Sequence, residues 1–147
     1  MTTTERNIVT DTFPDAQAQI RRRLDEVWTT ARARDFERLE SFHLYGPKFT
    51  EFKDGKPRGD AGTCAAGERA VFSMLEAPAV EMKDLAIQVY GDVAIATFNG
   101  HFTAQMRGQS MTLDQQSTMV FVNVAGDWKI VHEHFSLIGP PPAPPKC

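Results

Sequence analysis

The segment from Trp128 to Ser136 reads WKIVHEHFS and contains two of the four histidines of the chain. On a β-strand His132 and His134 would point to the same side, because successive side chains alternate between the two faces. Such a pair could bind a metal ion, but a zinc site needs further protein ligands. The alternative is that both histidines pack on the outer face of a sheet, at a subunit interface. We favour this alternative and predict neither a metal ion nor another cofactor.

The residue between the two histidines, Glu133, belongs to the opposite face of the same strand. Its neighbours on that face, Val131 and Phe135, are apolar. Desolvation raises the pKa of a carboxyl group in such surroundings and suits it to act as a general acid or base near neutral pH. The alternative is an ion pair with a neighbouring basic residue, or a position at a rim that is open to water.

A second candidate, His101, lies in a segment where polar and apolar residues alternate. Asn99 shares its face, whereas Phe98 and Phe102 occupy the other. The polar face could line a ligand pocket or be an ordinary wet surface, and alternation alone does not decide between them. If both candidates point inward, His101 and Glu133 form an acid/base pair for proton transfer.

Four residues of the next strand are also predicted to line a pocket. By alternation, Gln115 and Ser117 share one face with Met119 and Phe121. The two polar side chains could donate hydrogen bonds to a substrate oxygen and so stabilise negative charge on it.

Helical patterns occupy the first half of the chain. Apolar residues recur at spacings of three and four between Pro14 and Ala31, which predicts an amphipathic helix. Asp35 is a typical N-cap for a short second helix, and a third helix is predicted over about residues 64–75. A short strand is predicted over residues 48–53, between the second and third helices.

From Val80 onward the apolar residues recur with a period of two, which indicates strands. Turn signals at residues 91–92, 108 and 125–127 divide this half into four antiparallel strands that end near Ile138. Long strands curve, and Gly100 is a natural position for a bend or bulge.

Helices first and strands last is the order of an α+β protein. We predict a cone-shaped, curved antiparallel sheet with about three N-terminal helices packed on it, enclosing a cavity. The single domain would span residues 12–139, between a flexible N-terminus (1–11) and a proline-rich tail (140–147).

The bulk composition argues against several functional classes. The chain of 147 residues has a net charge of -3 and no basic stripe, so we expect no nucleic-acid partner. No apolar run reaches the length of a membrane helix, and the N-terminus lacks a signal-peptide pattern. The two cysteines form neither a disulfide framework nor a metal-ligand spacing. A cytoplasmic protein without membrane contacts is the expectation.

The pattern W-x-x-V-H-x-H-x-S, followed by Gly and Pro, resembles the last strand of the SnoaL-like and nuclear transport factor 2-like superfamily. It is most similar to the association (hub) domain of calcium/calmodulin-dependent protein kinase II. The preceding turn AGDW and the Gly91-Asp92 turn also match, and the resemblance covers about residues 14–140. It implies a cystatin-like, nuclear transport factor 2-like fold.

The resemblance implies a pocket but no single activity, because the superfamily includes isomerases, cyclases, dehydratases, epoxide hydrolases, transport factors and oligomerisation hubs. Hub-like relatives hold an acidic ligand with arginines at positions that correspond to His101, Met119 and Phe135, and these arginines are absent here. The same alignment implies that these three residues face the cavity. Tyr45 and Phe49 lie, with His43, in the region that commonly lines the pocket mouth.

We therefore predict a protein that binds a small apolar organic molecule. It would be a cofactor-independent enzyme of the isomerase, cyclase, dehydratase or hydrolase type, with His101 and Glu133 as its acid and base. The alternative is a non-catalytic ligand-binding or oligomerisation module that resembles the kinase hub domain. A homodimer is expected, since the open face of such a sheet is often used for self-pairing.

Overall fold

A computed structural model describes residues 7–139 of the chain. The predicted flexible N-terminus lies partly, and the proline-rich tail wholly, outside the described residues. The described part forms three helices and five strands in the order α1 (Pro14–Arg32), α2 (Phe36–Ser41), β1 (Thr50–Lys53), α3 (Ala61–Met74), β2 (Glu76–Tyr90), β3 (Val93–Met106), β4 (Gln109–Val124) and β5 (Asp127–Leu137). None of these helices is long and apolar enough to cross a lipid bilayer.

The starts of α2 and α3 are set by aspartate caps. The carboxylate of Asp35 accepts a hydrogen bond from the backbone N–H of Arg38, as predicted for α2. In α3 the carboxylate of Asp60 accepts from the backbone N–H of Thr63 at 2.9 Å, so this helix begins earlier than the apolar pattern predicts. Capping satisfies N–H groups that have no partner within the helix.

The sheet is curved, five-stranded and open, with the strand order β1-β5-β4-β3-β2. Strands β2 to β5 form the predicted antiparallel meander, but β1 pairs in parallel with β5, so the sheet is mixed rather than wholly antiparallel. The prediction missed this pairing because it depends on a contact between residues about eighty positions apart, such as Thr50 and His132.

Two-residue turns with left-handed backbone define the pairing of the long strands. Arg107 and Gly108 have φ values of 52° and 77°, which a type I′ hairpin turn requires. From this turn β3 and β4 pair without a shift, which places Gly100 opposite Gln115. The bulge expected at Gly100 therefore does not interrupt this pairing, and register shifts occur instead in β2 and β5.

The core lies between the helices and the inner face of the sheet. Ile20 and Leu24 of α1 are fully buried there, together with Phe121 of β4 and Ile130 of β5. Each such side chain contributes roughly 1.5–3 kcal/mol of burial free energy, so this apolar layer is what holds the helices on the sheet.

Replacing Gly108 by alanine tests the turn that sets the β3–β4 register. An added Cβ meets nothing within 4 Å, so the cost arises only from the left-handed backbone at φ 77° and should be roughly 1–2 kcal/mol. Gly46→Ala is the matched control, because Gly46 also has open space around it but no positive φ. Urea unfolding should separate the two variants, and equal stability of both would contradict this account of the turn.

Candidate functional site

A cavity of about 160 Å³ lies between the inner face of the sheet and the helices α1 and α3. A cavity of roughly 150 Å³ can hold a single benzene ring, so the ligand that fits this space is small. Phe72 of α3 and Phe98 and Phe102 of β3 contribute to its largely apolar wall.

Five of the residues that the sequence predicted for the pocket line this cavity. They are Gln115, Ser117, Met119, Glu133 and Phe135. All five belong to β4 and β5, where Ser117 pairs with Phe135 and Met119 pairs with Glu133. Paired residues of antiparallel strands share a face. Because Ser117 and Met119 of β4 point into the cavity, their partners Phe135 and Glu133 of β5 point into it as well.

Three further predicted residues lie near the cavity but are not part of its wall. Phe121 is completely buried in the core. Phe49 is also buried, and its ring meets the ring of Tyr45 edge-on at 4.8 Å. The hydroxyl of Tyr45 donates a hydrogen bond to the sulfur of Cys64 at 3.4 Å. Tyr45 and Phe49 thus pack against each other behind the cavity wall, where Tyr45 also contacts Cys64, and they do not line a pocket mouth.

The predicted inward orientation of His101 is wrong, and with it the predicted pairing of His101 with Glu133. Because Gly100 pairs with Gln115, both belong to the cavity face, and His101 must point outward with its partner Asp114. There the ring Nδ1 of His101 lies 2.8 Å from a carboxylate oxygen of Asp114. Asn99 points the same way and borders a shallow depression on the outer face.

The two histidines of the last strand also lie on the outer face. Nδ1 of His132 is 2.8 Å from the hydroxyl of Thr50, and the rings of both histidines contact Phe52. The H-x-H pair therefore packs across the β1–β5 pairing, and Glu133 between them points into the protein.

The partner of Glu133 is His43, which the sequence placed in the pocket-mouth region without assigning it a catalytic or binding role. Nε2 of His43 lies 2.7 Å from Oε1 of Glu133, and both side chains are buried. The backbone holds the two segments in register, because the N–H of Leu44 donates to the carbonyl of Ile130 at 2.8 Å. The residues are ninety positions apart, so no local pattern in the sequence could have paired them.

The second ring nitrogen of His43 decides how protons are shared. Nδ1 lies 2.9 Å from the backbone carbonyl of Leu39, which can only accept a hydrogen bond, so Nδ1 carries a proton. Nε2 and Glu133 then share one further proton. The pair exists either as imidazolium and carboxylate or as neutral imidazole and carboxylic acid.

Electrostatics favour the charged form of this pair near neutral pH. Burial raises the pKa of Glu133 to about 6, although the positive charge and hydrogen bond of His43 oppose this rise. Burial alone would lower the pKa of His43, but the charge and hydrogen bond of Glu133, with a contribution from Glu68, raise it to about 10. Glu133 is therefore a carboxylate that can accept a proton, and His43 stabilises its charge.

Three more groups surround the pair. Oε1 of Glu68 lies 3.4 Å from Nε2 of His43. The thiol of Cys64 donates to Oε2 of Glu51 at 3.1 Å and lies 3.8 Å from Oε2 of Glu133. Burial, followed by the neighbouring carboxylates, raises the pKa of the Cys64 thiol, which therefore keeps its proton and is not a nucleophile.

Comparison with known proteins places the chain in a family. The model of the SnoaL-like domain family matches residues 20–140. The chain belongs to the SnoaL-like family. This membership confirms the resemblance inferred from the last strand. No curated protein is significantly similar in sequence to this SnoaL-like protein.

Solved structures of the nuclear transport factor 2-like type share the fold. A Streptomyces avermitilis protein of that family, provisionally named a dehydratase, aligns with a TM-score of 0.78 and 20% identity, over 86% of this chain and 99% of that one. A provisionally named scytalone dehydratase from Novosphingobium aromaticivorans aligns at 0.77 and 12% identity, covering 88% and 89%. The hub homology domain of a Chlamydomonas reinhardtii calcium/calmodulin-dependent kinase II aligns at 0.67 and 21% identity, covering 84% and 99%. At these identities the likeness establishes the fold alone.

The His43–Glu133 pair should make the stability of the protein depend on pH. The folded-state pKa of His43 is about 10 against an ordinary value of 6.5. The folded state thus holds this proton more tightly, and its stabilisation is complete below pH 6.5 and lost as pH rises to 10. The raised pKa of Glu133 acts in the same direction, between pH 4.5 and 6.

We therefore expect the free energy of unfolding to fall by on the order of a few kcal/mol between pH 6.5 and 10. Without His43, burial raises the pKa of Glu133 further, so the variant His43→Gln should lose stability at lower pH and lack the further fall toward pH 10, while His134→Gln, on the outer face, should keep the wild-type curve. Urea unfolding in the presence of a chelator measures all three proteins. Parallel curves for the wild type and His43→Gln would refute the assignment.

Proposed function

We propose that this SnoaL-like protein is an enzyme that binds a small, largely apolar carbonyl compound in the cavity and transfers a proton through Glu133. The observation that carries the proposal is the buried hydrogen bond of 2.7 Å between Glu133 and His43 at the wall of an apolar cavity. A carboxylate in such a position has a raised pKa, which suits a general base near neutral pH.

The cavity also supplies hydrogen-bond donors for a substrate oxygen. The hydroxyl of Ser117 and the side-chain amide of Gln115 belong to the same wall as Glu133. The Gln115 amide has a loose contact of 3.4 Å with Asp54, which a substrate carbonyl can replace. Donors placed at an oxygen that gains negative charge lower the barrier to removing a proton from the adjacent carbon.

Dehydration of a β-hydroxy carbonyl compound is the reaction that these groups support best. Glu133 takes a proton from the carbon next to the carbonyl, a carbon–carbon double bond forms, and the bond to the β-hydroxyl breaks. Glu133 returns its proton to the departing hydroxide, so the products are water and an unsaturated carbonyl compound. Two structurally similar proteins are provisionally named dehydratases, which supports this choice over isomerisation.

The variant Glu133→Gln tests the proposed base. With single-ring ketones and β-hydroxy ketones in D₂O, the wild type should exchange the hydrogens next to the carbonyl and release the conjugated enone. NMR follows the hydrogen exchange, and ultraviolet absorbance follows the formation of the enone. We expect Glu133→Gln to lower the exchange rate by roughly 100-fold or more, a typical contribution of a general base.

The matched control is Glu81→Gln, an exposed position that pairs with His101 on the outer face of the sheet. The Glu81→Gln variant should catalyse exchange of the ketone hydrogens at the wild-type rate. Exchange that survives in Glu133→Gln, or that is absent from the wild type with every ketone, would reject Glu133 as the base.

Self-association distinguishes the enzyme from the alternative, a non-catalytic hub. We propose a homodimer, and the similarity to a hub homology domain motivates the larger ring as the competing assembly. Light scattering should give a mass of twice the chain's 16.4 kDa. A larger ring combined with no proton exchange would support the hub instead.

A further inference from the structure

We propose that His43, Cys64, Glu68 and Glu133 form a binding site for one divalent transition-metal ion, with zinc as the ion whose chemistry fits best. The four side chains each offer one ligand atom, and these atoms all lie within 4.8 Å of one another. The site does not rest on the proposed function, because binding can be measured without any substrate.

The separations of the ligand atoms suit a tetrahedral ion. Zinc bonds to nitrogen, oxygen and sulfur of about 2.0–2.3 Å place neighbouring ligand atoms roughly 3.3–3.7 Å apart. Here Nε2 of His43 is 3.4 Å from Oε1 of Glu68, and Sγ of Cys64 is 3.9 Å from that oxygen and 3.8 Å from Oε2 of Glu133. The other oxygen of Glu133, Oε1, lies 2.7 Å from Nε2 of His43, and the proton that bridges this shorter contact would be released when Nε2 binds the ion.

The orientation of His43 is already that of a metal ligand. Its Nδ1–H donates to the carbonyl of Leu39, which leaves Nε2 directed at the cluster. Metal-bound histidines commonly make this second hydrogen bond to a backbone carbonyl, because it fixes the tautomer and the ring orientation. Cys64 and Glu68 are four residues apart on α3, so both side chains project from one face of that helix.

The charge of the cluster independently points to a cation. Three carboxylates, those of Glu51, Glu68 and Glu133, surround the Cys64 thiol, whereas the cluster itself has one cationic group, His43. Within residues 7–139, no lysine or arginine forms an ion pair with any of these carboxylates. In that same part of the chain, Oε2 of Glu68 is shielded from solvent and has no hydrogen-bond partner. The Glu68 carboxylate thus lacks a full set of partners, and a cation bound through Oε1, the oxygen that faces the cluster, would offset the free-energy cost of holding this charge away from water.

Binding of the ion would displace the proton that the Cys64 thiol keeps in the metal-free protein. The resulting set of imidazole, thiolate and carboxylate ligands in tetrahedral arrangement favours zinc over magnesium or calcium, which prefer oxygen ligands alone. The carboxylates of Glu51, Glu68 and Glu133 belong to the cavity wall, so an ion can reach the cluster through the cavity. Because the ion would occupy the carboxylate that proton transfer needs, the metal-bound protein is the inactive form of the proposed enzyme.

Cobalt titration tests the site directly. The full chain, carrying Cys147→Ser to remove its second cysteine, is stripped with a chelator and titrated with CoCl₂. We expect one Co²⁺ per chain, the visible absorption of tetrahedral cobalt, a thiolate-to-cobalt charge-transfer band in the near ultraviolet, and displacement by Zn²⁺. Cys64→Ser should abolish the charge-transfer band, and Glu68→Gln should weaken binding by roughly tenfold or more.

The control is His134→Gln, which removes one histidine of the H-x-H pair on the outer face and should bind Co²⁺ like the parent. Glu68→Gln keeps the test valid if Cys64→Ser does not fold, which thermal unfolding of each metal-free variant monitors. Absence of saturable binding, binding without a thiolate band, or loss of binding in His134→Gln would overturn the proposal. None of these results depends on whether Glu133 transfers protons to a substrate.

Discussion

The buried hydrogen bond between His43 and Glu133 is the interaction on which the organisation of the site depends. Burial of a single carboxylate would cost several kcal/mol, and only an opposite charge with good geometry offsets that cost. His43 meets this requirement because the Leu39 carbonyl orients its ring and Tyr45 stacks against it with ring centroids 4.7 Å apart. The end of α2 and the centre of β5 are thereby joined at one point, with the cavity beside it.

The cavity and the polar cluster depend on each other. Apolar neighbours such as Met119 and Phe135 exclude water from the side of Glu133 that faces the cavity. Exclusion of water strengthens the attraction between Glu133 and His43 and keeps the Cys64 thiol protonated. A larger or wetter pocket would accept more ligands, but it would reduce the shift in protonation that gives these side chains their chemical character.

Local rules were sufficient to predict most of the fold and part of the site. The period of two along the second half of the chain predicted the four antiparallel strands. Alternation within β5 put Glu133 and Phe135 on one face, and the family resemblance implied that this face points inward, which is where both line the cavity. The orientation of His101 could have been predicted too. The Arg107-Gly108 turn sets the pairing of β3 with β4, so an inward Gln115 requires an outward His101.

Two features could not be predicted from local patterns. β2 begins before Pro78, a residue that argues against a central strand but is tolerated here because β2 lies at the edge of the sheet. The role of His43 could not be predicted either, because the residue lies just after a helix and its partner, Glu133, lies on a strand ninety residues later. Contacts of this range follow from the assembled fold and leave no periodic signal.

The position of β5 in the sheet has a consequence for biosynthesis. β5 is the last strand of residues 7–139, yet it lies between β1 and β4. A nascent chain that has been synthesised only as far as β4 therefore presents two unpaired strand edges, and His43 has no carboxylate from β5 beside it. Exposed edges of this kind promote association with other chains. Until β5 inserts, the edges of β1 and β4 therefore remain available for such association.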